Sequence, residues 1–159
     1  MAKLHLALIK VGTYHICVFD RIRHFKQSEF DSPDVVGSGV NMDFEFLVRL
    51  DGLRGLMGIP FKINSGFRTL EHNRKIGGAT GSPHRKGMAA DISTRGWTEQ
   101  NRWRILEYAK EMGFTGIGIS PTYIHLDTMK RNGLAQTAWR YALDGTRPKV
   151  ALDELTDWA

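Results

Sequence analysis

Cysteine is almost absent from this chain: Cys17 is the only one in 159 residues. An intrachain disulfide is therefore impossible, which excludes the framework of a disulfide-stapled secreted module. Cys17 lies in an apolar run and reads as a small buried hydrophobe. Long apolar runs are lacking too. None approaches the roughly 18 residues of a membrane span, so membrane insertion is not expected. The opening stretch MAKLHLALIKVGTYHICVF is broken by His5 and Lys10, and no small-residue cleavage site follows. It does not read as a signal peptide. Internal repeats and low-complexity tracts are also missing. Acidic charge is in deficit, with 17 Asp and Glu against 22 Lys and Arg, a net charge of +5. A basic protein associates with polyanions, and nucleic acid or an anionic bacterial wall both qualify. The basic residues are dispersed and match no nucleic-acid-binding motif, so that partner is not expected.

What remains suits one soluble domain over residues 1–159, expected to be a monomer. Residues 31–41, DSPDVVGSGVN, form a turn-rich connector. Phe46, Leu47, Leu50, Leu53 and Met57 recur at helical spacing and predict a helix over 42–57, closed by Gly58 and Pro60. Gly52 and Gly55 weaken it by roughly 1 kcal/mol each. A short strand is predicted over 61–64. A second helix is predicted over 99–112, capped by Thr98, striped by Ile105, Leu106, Ala109 and Met112, and ended by Gly113. Two β segments follow, near 115–119 and 122–127, with the turn at Ser120-Pro121. Gly116 and Gly118 suit close backbone approach. The chain then turns polar, with Trp139, Tyr141 and Trp158 as apolar anchors. Helices mixed with short strands argue for an α+β fold, a small antiparallel sheet flanked by helices.

Three residues carry metal-ligand chemistry. His84 and Asp91 are separated by six residues, and Gly87 lets the chain turn back between them. Ala89 and Ala90 leave space, and on a strand Ala89 and Asp91 share a face. His125 lies in Tyr123-Ile124-His125-Leu126-Asp127. Strand alternation turns Ile124 and Leu126 to the core and Tyr123, His125 and Asp127 together to the other side. Two imidazoles and a carboxylate leave a zinc ion one open position, the catalytic rather than the structural arrangement. His5, His15, His24 and His72 read as ordinary histidines, His72 on a helix surface.

Further residues extend the pattern. Ser65-Gly66-Phe67-Arg68, Asn73, Ile76-Gly77-Gly78-Ala79, Ser82-x-His84-x-x-Gly87-x-Ala89-x-Asp91, Gly116-x-Gly118 and His125-x-Asp127 occur in that order. Over about residues 25–127 the chain resembles the zinc D-Ala-D-Ala carboxypeptidase family, and within it the short bacterial and phage wall peptidases. Residues 1–24 and 128–159 are then flanking extensions packed on that domain. The resemblance implies the fold shared with lysostaphin-type peptidases and the hedgehog signalling domain. It also implies zinc on His84, Asp91 and His125, and a peptidoglycan peptide as substrate. Arg68 matches the arginine that binds the substrate carboxylate or polarises the scissile carbonyl. Ser82 matches a serine beside the first ligand, either a substrate contact or a hydroxyl that orders the turn.

The chain departs from the family at the general base. The acidic residue three positions before the last ligand is replaced by Thr122, and the histidine two positions before it in lysostaphin-type relatives is replaced by Tyr123. Asp127 is left as base or as a group orienting His125 or Arg68. Tyr123 is left as an oxyanion donor or a packing residue. The resemblance implies a phage endolysin or virion-associated lysin, made in the cytoplasm and delivered to the wall by a holin or the virion. A non-catalytic zinc module that only binds the wall is the alternative. A 2-His-1-carboxylate iron oxygenase is disfavoured, because such enzymes take a second histidine from later in the chain and none follows His125.

Overall fold

Local signals set the two longer helices of this fold, and the sheets are assembled from more distant segments. The computed structural model describes residues 8–11, 14–131, 136–142 and 147–150, with side chains from Phe19 onward. The Cys17 side chain, His5, the His15 side chain and Trp158 therefore lie outside the described residues. Strands β1 (Leu8–Val11) and β2 (Tyr14–Cys17) pair as an antiparallel hairpin. Helix α1 (Phe44–Met57) starts two residues later than the predicted 42, because the Asp43 side chain accepts from the Phe46 amide and caps it. Gly58, at φ +66°, ends it in the left-handed conformation. Helix α3 (Glu99–Glu111) is capped by Thr98, as its sequence predicts. Between them lie β3 (Ile63–Ser65) and the short helix α2 (Leu70–Lys75), which the sequence reading marked only by His72.

The main sheet adds β4 (Ala89–Ser93), β5 (Gly116–Ser120), β6 (Tyr123–Asp127), β7 (Thr137–Arg140) and β8 (Lys149–Val150). Its order is β3-β4-β6-β5-β7-β8. Every pairing is antiparallel except β5 with β7, so the sheet is mixed within the expected α+β class.

Alternation splits this sheet into two faces. Ala90, Ile92, Ile117, Ile119, Ile124, Leu126 and Ala138 point into the core. There they meet Phe46, Leu47, Leu50 and Leu53 of α1 and Ile105, Leu106 and Ala109 of α3. Phe46 and Phe114 lock edge to face at 6.0 Å. The other face carries a row of register partners that crosses the sheet: Asp91, His125, Gly118, Trp139 and Lys149. The adjacent row is Ala89, Asp127, Gly116 and Thr137. With helices covering one face, these rows are left to build a site.

Candidate metal centre

His84 reaches the open face from outside the sheet. It sits in the 3₁₀ turn Pro83–Lys86, which Gly87 ends at φ +69°. A side chain there would strike the backbone of Asn41 and Met42, so glycine serves both the turn and its packing. The His84 carbonyl accepts from the Arg68 amide at 3.2 Å, tying the turn to the end of β3.

The three donors converge. His84 Nε2 stands 3.2 Å from His125 Nδ1 and 3.3 Å from Asp91 Oδ1, and His125 Nδ1 stands 2.9 Å from Asp91 Oδ1. Atoms bound at ~2.0–2.1 Å to one tetrahedral ion are ~3.3–3.4 Å apart, so the cluster is nearly the size that zinc needs. The imidazoles are also set for it. His84 Nδ1–H donates to the Gly66 carbonyl at 2.8 Å, leaving Nε2 as the lone pair. His125 Nε2–H donates to Asp127 Oδ2 at 2.9 Å, leaving Nδ1 as the lone pair. Two lone pairs and a carboxylate oxygen facing one another are mutually repulsive unless a cation or a proton joins them. The donor set therefore fits the metal.

The electrostatics agree. Burial pulls His84 below the ordinary imidazole range, against the pull of Asp91. Burial acts the same way on His125, but its hydrogen bonds to Asp127 and Asp91 outweigh it and raise the ring. The carboxylates that favour a proton there favour a cation equally. Burial pushes Asp91 up, yet His84 and His125 overcome this and hold it far below the usual carboxylate range.

Arg68 closes the cluster from β3's end. Its Nη2–H donates to Asp91 Oδ2 at 2.6 Å and its Nε–H to Ser65 Oγ at 2.8 Å. Asp91 is thus turned so that Oδ1 faces the imidazoles. Arg68, Ser82 and Tyr123 all line a cleft of about 590 Å³ above the cluster. The Ser82 hydroxyl does not cap the turn that follows it. Burial, then Asp91, pushes the Tyr123 hydroxyl up, so it stays protonated and able to donate.

Asp127 lies elsewhere. It is fully buried and does not line the cleft. Besides His125 it accepts from the Met129 amide at 3.0 Å and from both arms of Arg131, at 2.8 and 2.5 Å. Burial raises it, but His125 and Arg131 hold it at about 2. Gly116 on β5 makes room: a Cβ there would overlap the Asp127 carboxylate. Gly118 does the same for Trp139, whose ring a Cβ would meet at 2.6 Å. Thr122 is not in the cleft lining, and Asp91 is the only acid among the described residues that are.

Sequence reasoning marked Ile76-Gly77-Gly78-Ala79 and Ser82 as motif positions but did not read two cleft walls from them and Trp139 and Tyr141. One is residues 76–83, pinned by Asn73 Nδ2 to the Gly78 and Ala79 carbonyls at 3.1 and 3.0 Å. The other is β7–β8, where Trp139 and Tyr141 read only as apolar anchors. The alternation of Thr137, Trp139 and Tyr141 was the available signal. Arg131 had none, since its partner is set by a loop rather than by helical spacing.

The family model for peptidase M15 matches residues 23–127. The zinc D-Ala-D-Ala carboxypeptidase of Streptomyces albus G is 37% identical over 76 residues. That stretch is 47% of this chain and 28% of that protein, well under two thirds of the relative's length. The family match takes in more than half of the chain and contains all three converging donors, so this chain belongs to the peptidase M15 family, a family of zinc metallopeptidases.

Proposed function

We propose that this chain hydrolyses a peptide bond in bacterial peptidoglycan, in a stem peptide or a cross-link, with zinc held by His84, Asp91 and His125. The observation that carries the reading is the convergence of three correctly oriented donors at the floor of an open cleft. When bound there, zinc supplies Lewis acidity that activates water near neutral pH and polarises a carbonyl.

The chain's own residues do the rest. Gly66 and Asp127 hold the two imidazoles in the metal-binding tautomer. Arg131 holds Asp127, so Asp127 orients rather than exchanges protons with the cleft. Arg68 turns Asp91 and brings a permanent positive charge to the cleft, where it binds a substrate carboxylate or the scissile carbonyl oxygen. Tyr123, kept protonated, donates to the developing oxyanion. Ser82 contacts the substrate from the opposite wall. The relative's name supports a peptidoglycan peptide as substrate. The net charge of +5 favours an anionic wall, and a phage endolysin or virion-associated lysin is the setting we favour.

A second reading, a zinc module that binds the wall without cutting it, draws on the cleft lining, which offers no carboxylate besides Asp91 among the described residues. Mass spectrometry of muropeptides separates the two. Purified zinc-loaded protein should release shortened peptides, lose this activity to a chelator and regain it with zinc. Full zinc occupancy with intact muropeptides would establish the binding module instead.

A further inference from the structure

The cleft's second wall carries charge that the metal cluster does not use. Strands β7 and β8 lie beyond residue 127, where the family match ends. Ala138 turns into the core, whereas Thr137, Trp139 and Tyr141 line the cleft, as alternation requires. Arg147 and Lys149, also two residues apart, line it from the β8 side and are exposed. The register places Lys149. Lys149 pairs with Trp139, Trp139 with Gly118 and Gly118 with His125. Lys149 thus stands in the same cross-sheet row as His125, three strand spacings or about 14 Å away. The Arg147 guanidinium lies over the Tyr141 ring, 4.9 Å from its centroid. Tyr141 is 6.1 Å from Trp139, and Trp139 is 5.3 Å from His125. A run of tilted and edge-on ring contacts therefore leads from the metal donors to Arg147.

The charges on this wall differ from those deeper in the cleft. Arg68 is bonded to Asp91 and Arg131 to Asp127. Residues of the 76–83 segment that line the same cleft are uncharged, and the only acid in the lining among the described residues is Asp91, already paired with Arg68. Two exposed cations beside aromatic rings, with no unpaired acid in the cleft lining among the described residues, suit a carboxylate on the ligand. Extended peptide advances about 3.3 Å per residue, so 14 Å is about four residues, less what the long side chains reach back.

We infer that Arg147 and Lys149, floored by Tyr141 and Trp139, form a subsite for an acidic residue of the substrate, about two to four residues from the scissile bond. This subsite rests on the peptidase reading above, and it narrows the substrate class to peptides with a carboxylate outside the reacting amide.

The test uses zinc-loaded full-length protein and synthetic peptide pairs that differ only by Glu or Gln at each position up to four residues from the cleavable bond. Both kcat/KM and calorimetric Kd are measured. The Glu member of one pair should be favoured about five- to tenfold at low salt, with the preference shrinking at high ionic strength. Arg147→Ala with Lys149→Ala should bring that ratio close to one. Arg147→Glu with Lys149→Glu should invert it. No Glu preference in the native protein, or the same preference in both double variants, overturns the subsite. If no peptide is cleaved, the peptidase reading fails while binding still decides the subsite: a Glu preference in Kd that the variants abolish upholds it, and equal Kd values reject it.

Discussion

Replacing Asp127 by Asn keeps the side chain's volume and changes only its hydrogen-bonding chemistry. Four N–H groups converge on the native carboxylate: His125 Nε2, the Met129 amide and two from Arg131. An asparagine offers one carbonyl oxygen and turns its amide hydrogens toward the remaining donors, so at least one charge-assisted contact becomes donor against donor. Breaking a buried ion pair costs ~3–5 kcal/mol. Arg131 retains 23% side-chain exposure and can turn to water, which favours the low end, about 3 kcal/mol. For a chain of this length that lowers the melting temperature by roughly 10 °C. His125 must then compete with Arg131 and the Met129 amide for the one remaining oxygen that fixes its tautomer, so zinc affinity should fall about 10–100-fold. Competition with a chromophoric chelator measures the affinity, and thermal melting of the metal-free protein measures the stability. An Asn variant that matches the native protein in both would refute the orienting role. If both are retained while the acidic limb of the pH–rate profile disappears, Asp127 is the general base after all.

Arg68→Ala should cut peptide hydrolysis about a hundredfold by removing a cation from the cleft; full activity would take Arg68 out of the site. It should also loosen zinc measurably, because Asp91 Oδ2 loses its partner. Gly116→Ala should cost ~1–3 kcal/mol in a denaturant titration, since the new methyl overlaps Asp127; an unperturbed midpoint would show that β5 can yield there. Zinc at a thousand times its Kd should stabilise the fold by about 4 kcal/mol, and a chelator should reverse the gain in a melting experiment. In acid, Asp127 adds a titration of its own. Its folded value of about 2 lies below the ordinary ~3.9. The stability it contributes is therefore complete above about pH 4 and is lost as pH falls toward 2. Urea titrations of metal-free protein across that window should show the slope in the native chain and a shallower one in the Asn variant.

Much of the site could be read one residue at a time. Alternation in Tyr123–Asp127 shows which side chains leave the core, and it does so without knowledge of any partner strand. The spacing of His84 and Asp91 around Gly87 states a turn, and the structure has that turn. The Thr98 cap and the apolar stripe of α3 are equally local, as is most of α1. These features depend on helix and strand periods and on backbone sterics, which neighbouring residues determine among themselves.

The rest depends on which strand lies beside which. No local signal made β7 run parallel to β5, so neither the cleft's second wall nor the place of Trp139 within it could be deduced from the anchors alone. The role of Asp127 turned on the same limit. Alternation put it on the face of His125, but two residues along a strand span roughly 6.6–6.8 Å, which left base and orienting group equally open. Packing supports the orienting reading. Gly116 across the sheet leaves space for the carboxylate, and Arg131 fixes it behind the imidazole at 2.9 Å from Nε2. Sequence neighbours set which side chains face the site. Their partners there come from distant segments, because cross-strand register is settled only when the whole core packs.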